Sequence, residues 1–267
     1  MKKNLKRIIA VSLVTISMFA FSACGSKKKS SLENIKEKKE LVLGTSADFP
    51  PYEFHKSVNG KDEILGADIE IAKQVAKDLG VKLTIKDMKF DGLLASLDQG
   101  KVDMVISGMT PTEERKKNVD FSDIYYKSVQ TIVVKKSDKD KFKGIKDFDG
   151  KKIGVQKGSI QEGIAEKQLP KAKPVALSKI SDLVLALNSG RIDGAIIEFP
   201  VATSYTNSNK DLVISDIKVT TEEAGSAVAM KKGSEDLVKE VNKTLDKLKK
   251  DKLIDKYITE ASKLVEQ

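Results

Sequence analysis

Apolar and polar positions alternate with two different periods from residue 41 onward. Leu41-Val42-Leu43 is a short continuous apolar run, as a strand buried on both faces requires. Val81, Leu83 and Ile85 alternate with polar neighbours, as a half-buried strand does. Between them Ile71, Ala72, Val75, Ala76 and Leu79 recur at helical spacing and stop at Gly80. Further on, Ser234 is placed to cap a helix with Glu235 and Asp236 in its first turn and an apolar stripe of Leu237, Val241, Leu245 and Leu248. Strand, helix, strand, helix predicts an α/β protein of mainly parallel sheets flanked by helices.

A longer repeat overlies this pattern. Leu93-Leu94-Ala95-Ser96-Leu97-Asp98-Gln99-Gly100-Lys101-Val102-Asp103 leads into a strand ending at Ser107-Gly108. Ninety positions later, Leu183-Val184-Leu185-Ala186-Leu187-Asn188-Ser189-Gly190-Arg191-Ile192-Asp193 leads into one ending at Ile197-Glu198. In each copy a helix stops at a glycine, a basic residue follows, and an aspartate opens an apolar strand. Leu41–Ser46 and Lys152–Lys157 form a weaker second pair in the same order. The echo predicts two similar lobes, although helix–glycine–strand units also recur in unrelated α/β proteins. Ligands in such sheets bind beyond the C-terminal strand ends, which gathers Ser46, Ser107, Gly108, Gln156 and Glu198 around one cleft.

The first residues follow neither period. Lys2, Lys3, Lys6 and Arg7 precede an apolar run from Ile8 to Phe21, about 14 residues and short of the ~20 that a membrane span needs. Basic start, apolar middle and small residues up to Ala23 read as an export signal over residues 1–23. Ser22-Ala23-Cys24-Gly25-Ser26 resembles a bacterial lipoprotein box, which implies diacylation of Cys24 and stable anchoring by two chains. An ordinary signal with an incidental cysteine is the alternative. Residues 24–39 then form the lipid anchor and tether, with the folded chain beginning near Leu32 to Glu40.

Charge and composition remove several functions. The 48 basic and 39 acidic residues give +9, and four of those cations belong to the export signal. The rest are dispersed and aromatics make up only 5%, which speaks against nucleic acid as a partner. One cysteine and one histidine exclude a disulfide framework and argue against a zinc site of the usual type. A nucleophile–histidine centre would rest on His55 alone, which reads as a surface loop residue. No metal, cofactor or catalytic residue is predicted.

The chemistry gathers at the strand ends. Thr110-Pro111-Thr112-Glu113 reads as a capping box with Thr110 as the cap, Pro111 at the first helical position and Glu113 reaching back. Such a helix start suits an anion, and Arg115 offers a planar grip on a carboxylate; a solvated face with Glu114 or Asp120 as partner is the alternative. Glu198 either caps the helix that follows Pro200 or, set opposite Arg115, receives an ammonium group. One fixed cation facing one fixed anion describes a receptor for a zwitterion. Phe49 and Phe90 are core residues or, if exposed in the cleft, platforms for an aliphatic stem or a guanidinium.

These residues, in the segments GTSADFPPYEF (44–54), GADIEIA (66–72), SGMTPTEERK (107–116), VDFSDIYY (119–126), VQKGS (155–159) and RIDGAIIE (191–198), resemble the polar amino-acid solute-binding proteins of ABC importers. The likeness covers essentially the whole folded chain. It implies a two-lobed type II periplasmic-binding fold, with residues 40–126 and 225–267 in one lobe and 127–224 in the other. Hinge crossings near Tyr125–Val129 and Ala224–Ala227 would close the lobes on the ligand. It also implies that Arg115 grips the ligand α-carboxylate, helped by Ser107, Gly108, Thr110 and the loop through Ser159 and Ile160. Glu198, where the family usually has aspartate, would meet the α-ammonium, and Phe49 and Phe90 would sandwich the side chain. Ser46 stands where many relatives carry an acid that reads the side chain, and Ala67 departs from the larger residue frequent before Asp68.

The implied function is that of a monomeric lipoprotein on the extracytoplasmic face of a cell membrane, on a Gram-positive surface. It would capture a polar L-amino acid and deliver it to an ABC permease. A basic side chain such as that of arginine suits the two aromatics and the nearby Asp48 and Glu53, whereas Ser46 suits glutamine equally well. A dehydratase-like enzyme on the same scaffold is a competing reading, against which the Arg115/Glu198 pair argues. A surface adhesin or sensor is a third, and needs a partner that the sequence does not show.

Overall fold

The computed structural model describes residues 29–221 and 225–266, so the expected export signal and Cys24 lie outside the described residues. The chain runs through α1 (Ser31–Lys38), β1 (Glu40–Thr45), β2 (Asp48–Phe49), β3 (Glu53–Val58), β4 (Lys61–Leu65), α2 (Ala67–Leu79) and β5 (Lys82–Asp87). It continues through α3 (Leu93–Asp98), β6 (Met104–Val105), α4 (Glu113–Lys116) and β7 (Val119–Phe121). Then follow β8 (Gln130–Lys135), β9 (Lys152–Gln156), α5 (Ile160–Gln168), β10 (Lys173–Leu177), α6 (Ile180–Asn188), β11 (Gly194–Glu198), α7 (Phe199–Ser208) and β12 (Leu212–Lys218). β13 (Ala229–Lys231), α8 (Glu235–Lys250) and α9 (Leu253–Glu266) complete it.

Two sheets result, ordered β5-β1-β6-β13-β7 and β10-β9-β11-β8-β12, with β2-β3-β4 as a small separate layer. In the first, β1 is parallel to β5 and β6, while β13 is antiparallel to β6 and β7. In the second, β9 is parallel to β10 and β11, while β8 is antiparallel to β11 and β12. Each sheet therefore has a single reversed strand, and it is the strand that arrives from the other half of the chain. The two crossings meet in an antiparallel bridge between Tyr126 and Ser226.

The sequence echo is a structural one. Asp103 Oδ2 accepts the Val42 amide at 2.8 Å, and Asp193 Oδ2 accepts the Lys152 amide at 2.8 Å, so each aspartate ties its own strand to the neighbouring one. Gly44 and Gly154 are equivalent as well. A Cβ on Gly44 would come within 3.4 Å of Val102 and Leu93, and one on Gly154 within 2.8 Å of Ile192 and Leu183. A side chain on Gly154 would clash with Leu183 of α6 and with Ile192, whereas one on Gly44 would press on Val102 and just touch Leu93 of α3.

The predicted stripes of α2 and α8 share one core, in which Ile71, Val75, Leu237, Val241 and Leu245 cover Leu41 and Leu43. A second cluster joins Phe49 and Tyr52 of the first half to Ile180, Leu183 and Ile197 of the second, so apolar contact runs between the lobes. Three expectations are corrected. Residues 31–38, assigned to the tether, form α1, capped by a Ser30–Glu33 box and anchored by the fully buried Ile35. Ser234 occupies its cap position, but its hydroxyl bonds Ser31 at 2.6 Å and makes no cap bond to the helix. His55 sits on β3, not in a loop, with Nδ1 2.8 Å from Asp62. Among the described residues no helix is long and apolar enough to cross a membrane.

Candidate ligand-binding cleft

The C-terminal ends of β6, β9 and β11 converge where the two halves meet. From the first half Phe49, Phe90, Ser107, Gly108, Thr110 and Arg115 line a cavity there. Its other wall is Gln130, Gln156, Ser159, Ile160, Gln161 and Glu198 from the second half. At about 10 Å³ the space has room for one water, so the halves are closed on each other and a larger solute enters only when they part.

Arg115 is held from both sides. Its Nη1 donates to Thr110 O at 2.7 Å, its Nη2 crosses to Gly158 O at 2.9 Å, and the guanidinium carbon lies 5.5 Å from the Phe90 ring centre. Beside it, Lys157 and Asp91 make a second contact between the halves at 3.0 Å. The local helix differs from the expected one. Thr112, not Thr110, is the cap of α4, its hydroxyl accepting the Arg115 amide at 3.2 Å. Thr112 is still extended, so Pro111 lies outside the helix, and Thr110 contributes its carbonyl to the Arg115 side chain.

Glu198 ends β11 and is almost fully buried. The Tyr52 hydroxyl donates to its Oε1, an interaction that spans the two halves. Burial pushes the Glu198 carboxyl up to about 7, against the lowering effect of the Tyr52 and Ser128 hydroxyls. Near neutrality the site therefore holds an acid poised between its two forms, across the cavity from a permanent cation.

The aromatics are both mostly buried and both reach the cavity. Phe49 stacks on Tyr52 with ring centres 5.5 Å apart. Gly108 has φ +53, and a Cβ there would lie 2.6 Å from the Phe49 ring. Ser159 caps α5 by accepting the Gln161 amide at 3.3 Å, which turns Ile160 and Gln161 toward the cleft.

Ser46 departs from expectation. Its amide donates to Ser107 Oγ at 3.1 Å and its hydroxyl to Asp48 at 3.2 Å, so it lies behind Ser107 and does not line the cavity. Asp48 and Glu53 are also absent from the lining. Asp48 turns to the Ser181 amide at the start of α6, 3.2 Å away, and Glu53 is fully buried against Ser107. Two lining residues were not anticipated: Gln130, at the first position of β8, and Gln161, whose Nε2 donates to Gln130 Oε1 at 2.9 Å. A polar residue just ahead of the apolar run Ile132-Val133-Val134 was the available signal for Gln130.

Two half-alike α/β lobes, crossed twice by the chain and closed over a polar cleft, define a solute-binding fold. The chain belongs to the bacterial extracellular solute-binding proteins, family 3, whose model matches residues 41–260. It is 44% identical over 253 residues to the arginine-binding extracellular protein ArtP of Bacillus subtilis, covering 93% of each chain. It is 32% identical to the glutamine-binding ABC transporter protein GlnH of the same organism, over 92% of this chain and 94% of that one. The structure of the ABC transporter substrate-binding protein AbpA of Streptococcus pneumoniae, bound to L-arginine, matches with a TM-score of 0.86 at 43% identity, over 88% of this chain and 99% of that one. An ancestral amino-acid-binding protein described as a precursor of cyclohexadienyl dehydratase matches with a TM-score of 0.79 at 37% identity, over 86% and 99%.

Proposed function

We propose that this protein is the substrate-binding component of an amino-acid ABC importer and that its preferred ligand is L-arginine or another basic L-amino acid. One observation carries the reading: Arg115 and Glu198, from opposite halves of the chain, line the same closed cavity. In the proposed complex Arg115 meets the α-carboxylate, and Glu198, as carboxylate, meets the α-ammonium. The side chain lies between Phe49 and Phe90, whose faces suit a guanidinium. The carboxamide oxygens of Gln130, Gln156 and Gln161 are the available acceptors for its N–H groups. Support for arginine comes from these groups and from the similarity to arginine binders, since Asp48 and Glu53 are turned away from the cavity.

Ligand capture follows from the closed geometry. The lobes part at the two crossings, the amino acid enters, and closure completes the polar shell from both sides. A permease would read the closed form. Cys24 would carry the lipid that holds the receptor at the outer face of the membrane, as a monomer.

The test uses protein lacking residues 1–24, unfolded and refolded to strip carried-over solute. Arginine at 100 times its Kd should stabilise the fold by ~2.7 kcal/mol, read as a rise of a few degrees in Tm. A rise with glutamine alone would replace the ligand class, and no rise with any amino acid would remove the receptor reading. For the anchor, full-length protein should label with palmitate and pellet with membranes, and Cys24→Ala should do neither.

A further inference from the structure

Behind the cleft wall lies a polar cluster that ligand contact does not use. Glu53, at the start of β3, and Asp68, in the first turn of α2, are both fully inaccessible to solvent. Ser107 donates its hydroxyl to Glu53 Oε1, and Ser107 Oγ in turn accepts the Ser46 amide. Asp68 Oδ2 accepts the Gly108 amide at 2.9 Å, and the Tyr125 hydroxyl reaches both Asp68 oxygens at 2.8 Å. The side chains of the two acids are close enough to act on each other directly. Ser107 and Gly108, adjacent residues of the cleft wall, are thus each tied to one member of an acid pair.

Two carboxyl groups in contact and away from water do not both ionise. Counting donors locates the proton. Asp68 is served by an amide and a phenol. With both acids drawn as carboxylates, Glu53 has only the Ser107 hydroxyl, and its Oε2 is left buried with no partner. A proton on Glu53 Oε2 removes that orphan and supplies the bond to Asp68. Burial, reinforced by the Asp68 charge, pushes the Glu53 carboxyl well above the usual range. The groups that act most strongly on this cluster include Asp48, Tyr52, Tyr125 and Glu198, all of them acids or phenols.

We propose that Glu53 stays protonated through the neutral range and that its proton, shared with Asp68, positions Ser107 and Gly108 in the cleft wall. The proton on Glu53 sets the direction of the whole chain of hydrogen bonds. Because the Ser107 hydroxyl donates backward to Glu53, Ser107 offers the cleft an acceptor, which suits a ligand ammonium better than a carboxylate. Glu53 and Asp68 are positioning residues, and their use rests on the amino-acid reading above. The location of the proton does not.

Infrared spectra of the ligand-free protein at pH 9, where Glu198 is ionised, test the proton directly. A protonated-carboxyl C=O band is expected in the wild type and should vanish in Glu53→Gln. No band, or a band that survives in Glu53→Gln, overturns the proposal whatever the protein binds. Glu53→Gln keeps a donor toward Asp68 and an acceptor for Ser107, so it should weaken arginine by no more than about threefold, against about tenfold or more for Glu53→Ala. Equal losses in the two variants would overturn the positioning role. If the wild type binds no amino acid at all, the receptor reading fails while the infrared band still decides where the proton lies.

Discussion

In the first lobe the strand opened by Asp103 stops at Val105, just short of Ser107-Gly108, and in the second the strand opened by Asp193 runs through to Glu198. The frames behind these ends match: parallel neighbours, a glycine under the preceding helix, and an aspartate accepting an amide of the adjacent strand. The acids are placed differently. The second lobe puts its carboxylate at the cleft surface, whereas the first keeps two acids one layer back and shows the cleft a hydroxyl and a glycine at the matching place. Repeating a frame thus fixes where strand ends converge and leaves the chemistry at each end free to differ. A zwitterion needs that asymmetry.

The largest expected effect removes the charge that the first lobe does contribute. Arg115→Ala should leave Tm nearly unchanged and weaken arginine by about 2–5 kcal/mol in calorimetry, the order for truncating one partner of a desolvated charge pair. Wild-type affinity in that variant would mean the first lobe offers no carboxylate grip, and the comparison between the lobes would lose its functional content.

Next comes the second lobe's acid. Free Glu198 gains a proton as pH falls through about 7, whereas the ligand ammonium favours the carboxylate. Protons therefore compete with the ligand. Affinity should be full above pH 7 and decline below it, by at most about tenfold per unit, with a proton released on binding near neutrality. Glu198→Gln should lose on the order of 2 kcal/mol, flatten this profile, and cease to prefer arginine over its deaminated analogue. Equal losses for both ligands would place the ammonium elsewhere.

Much of this site is legible in the residues. Ser107, Gly108, Gln156 and Glu198 follow from one rule about strand ends applied twice, because the echo supplies the second application. Arg115 and the two phenylalanines needed the family likeness, since spacing alone leaves each between core, surface and site. The same rule failed for Ser46. It locates the end of a strand without saying which way the next residue turns, and the Ser107 hydroxyl draws the Ser46 amide backward. Gln130 and Gln161 carry no periodic signal, and the Tyr52–Glu198 contact joins residues 146 positions apart, beyond any local pattern. The helix over 31–38 escaped because a single buried residue, Ile35, holds it to the core.

A smaller effect separates backbone from side chain in the first lobe's wall. Gly108→Ala places a Cβ at φ +53 and against the Phe49 ring, so it should cost about 1–2 kcal/mol in stability and weaken the ligand through the displaced ring. An unchanged Tm and Kd would show that this wall has slack, and that the rigid frame stops short of the cleft.

The smallest effect asks whether the two frames are equal in energy as well as in geometry. Asp103 and Asp193 each accept one strand amide at 2.8 Å, and neither lines the cleft. Replacing either with alanine leaves that amide without its partner, which should cost about 0.5–1.5 kcal/mol and leave the ligand Kd as it was. The two bonds lie in different sheets and have no residue in common, so the double variant should lose the sum of the two. Burial already raises the Asp103 carboxyl above the usual range, so part of its native bond offsets desolvation. Asp103→Ala should therefore fall toward the lower end of that range. A loss at Asp103 several times that at Asp193, measured by urea unfolding, would mean that the echoed aspartates keep the same geometry for different reasons.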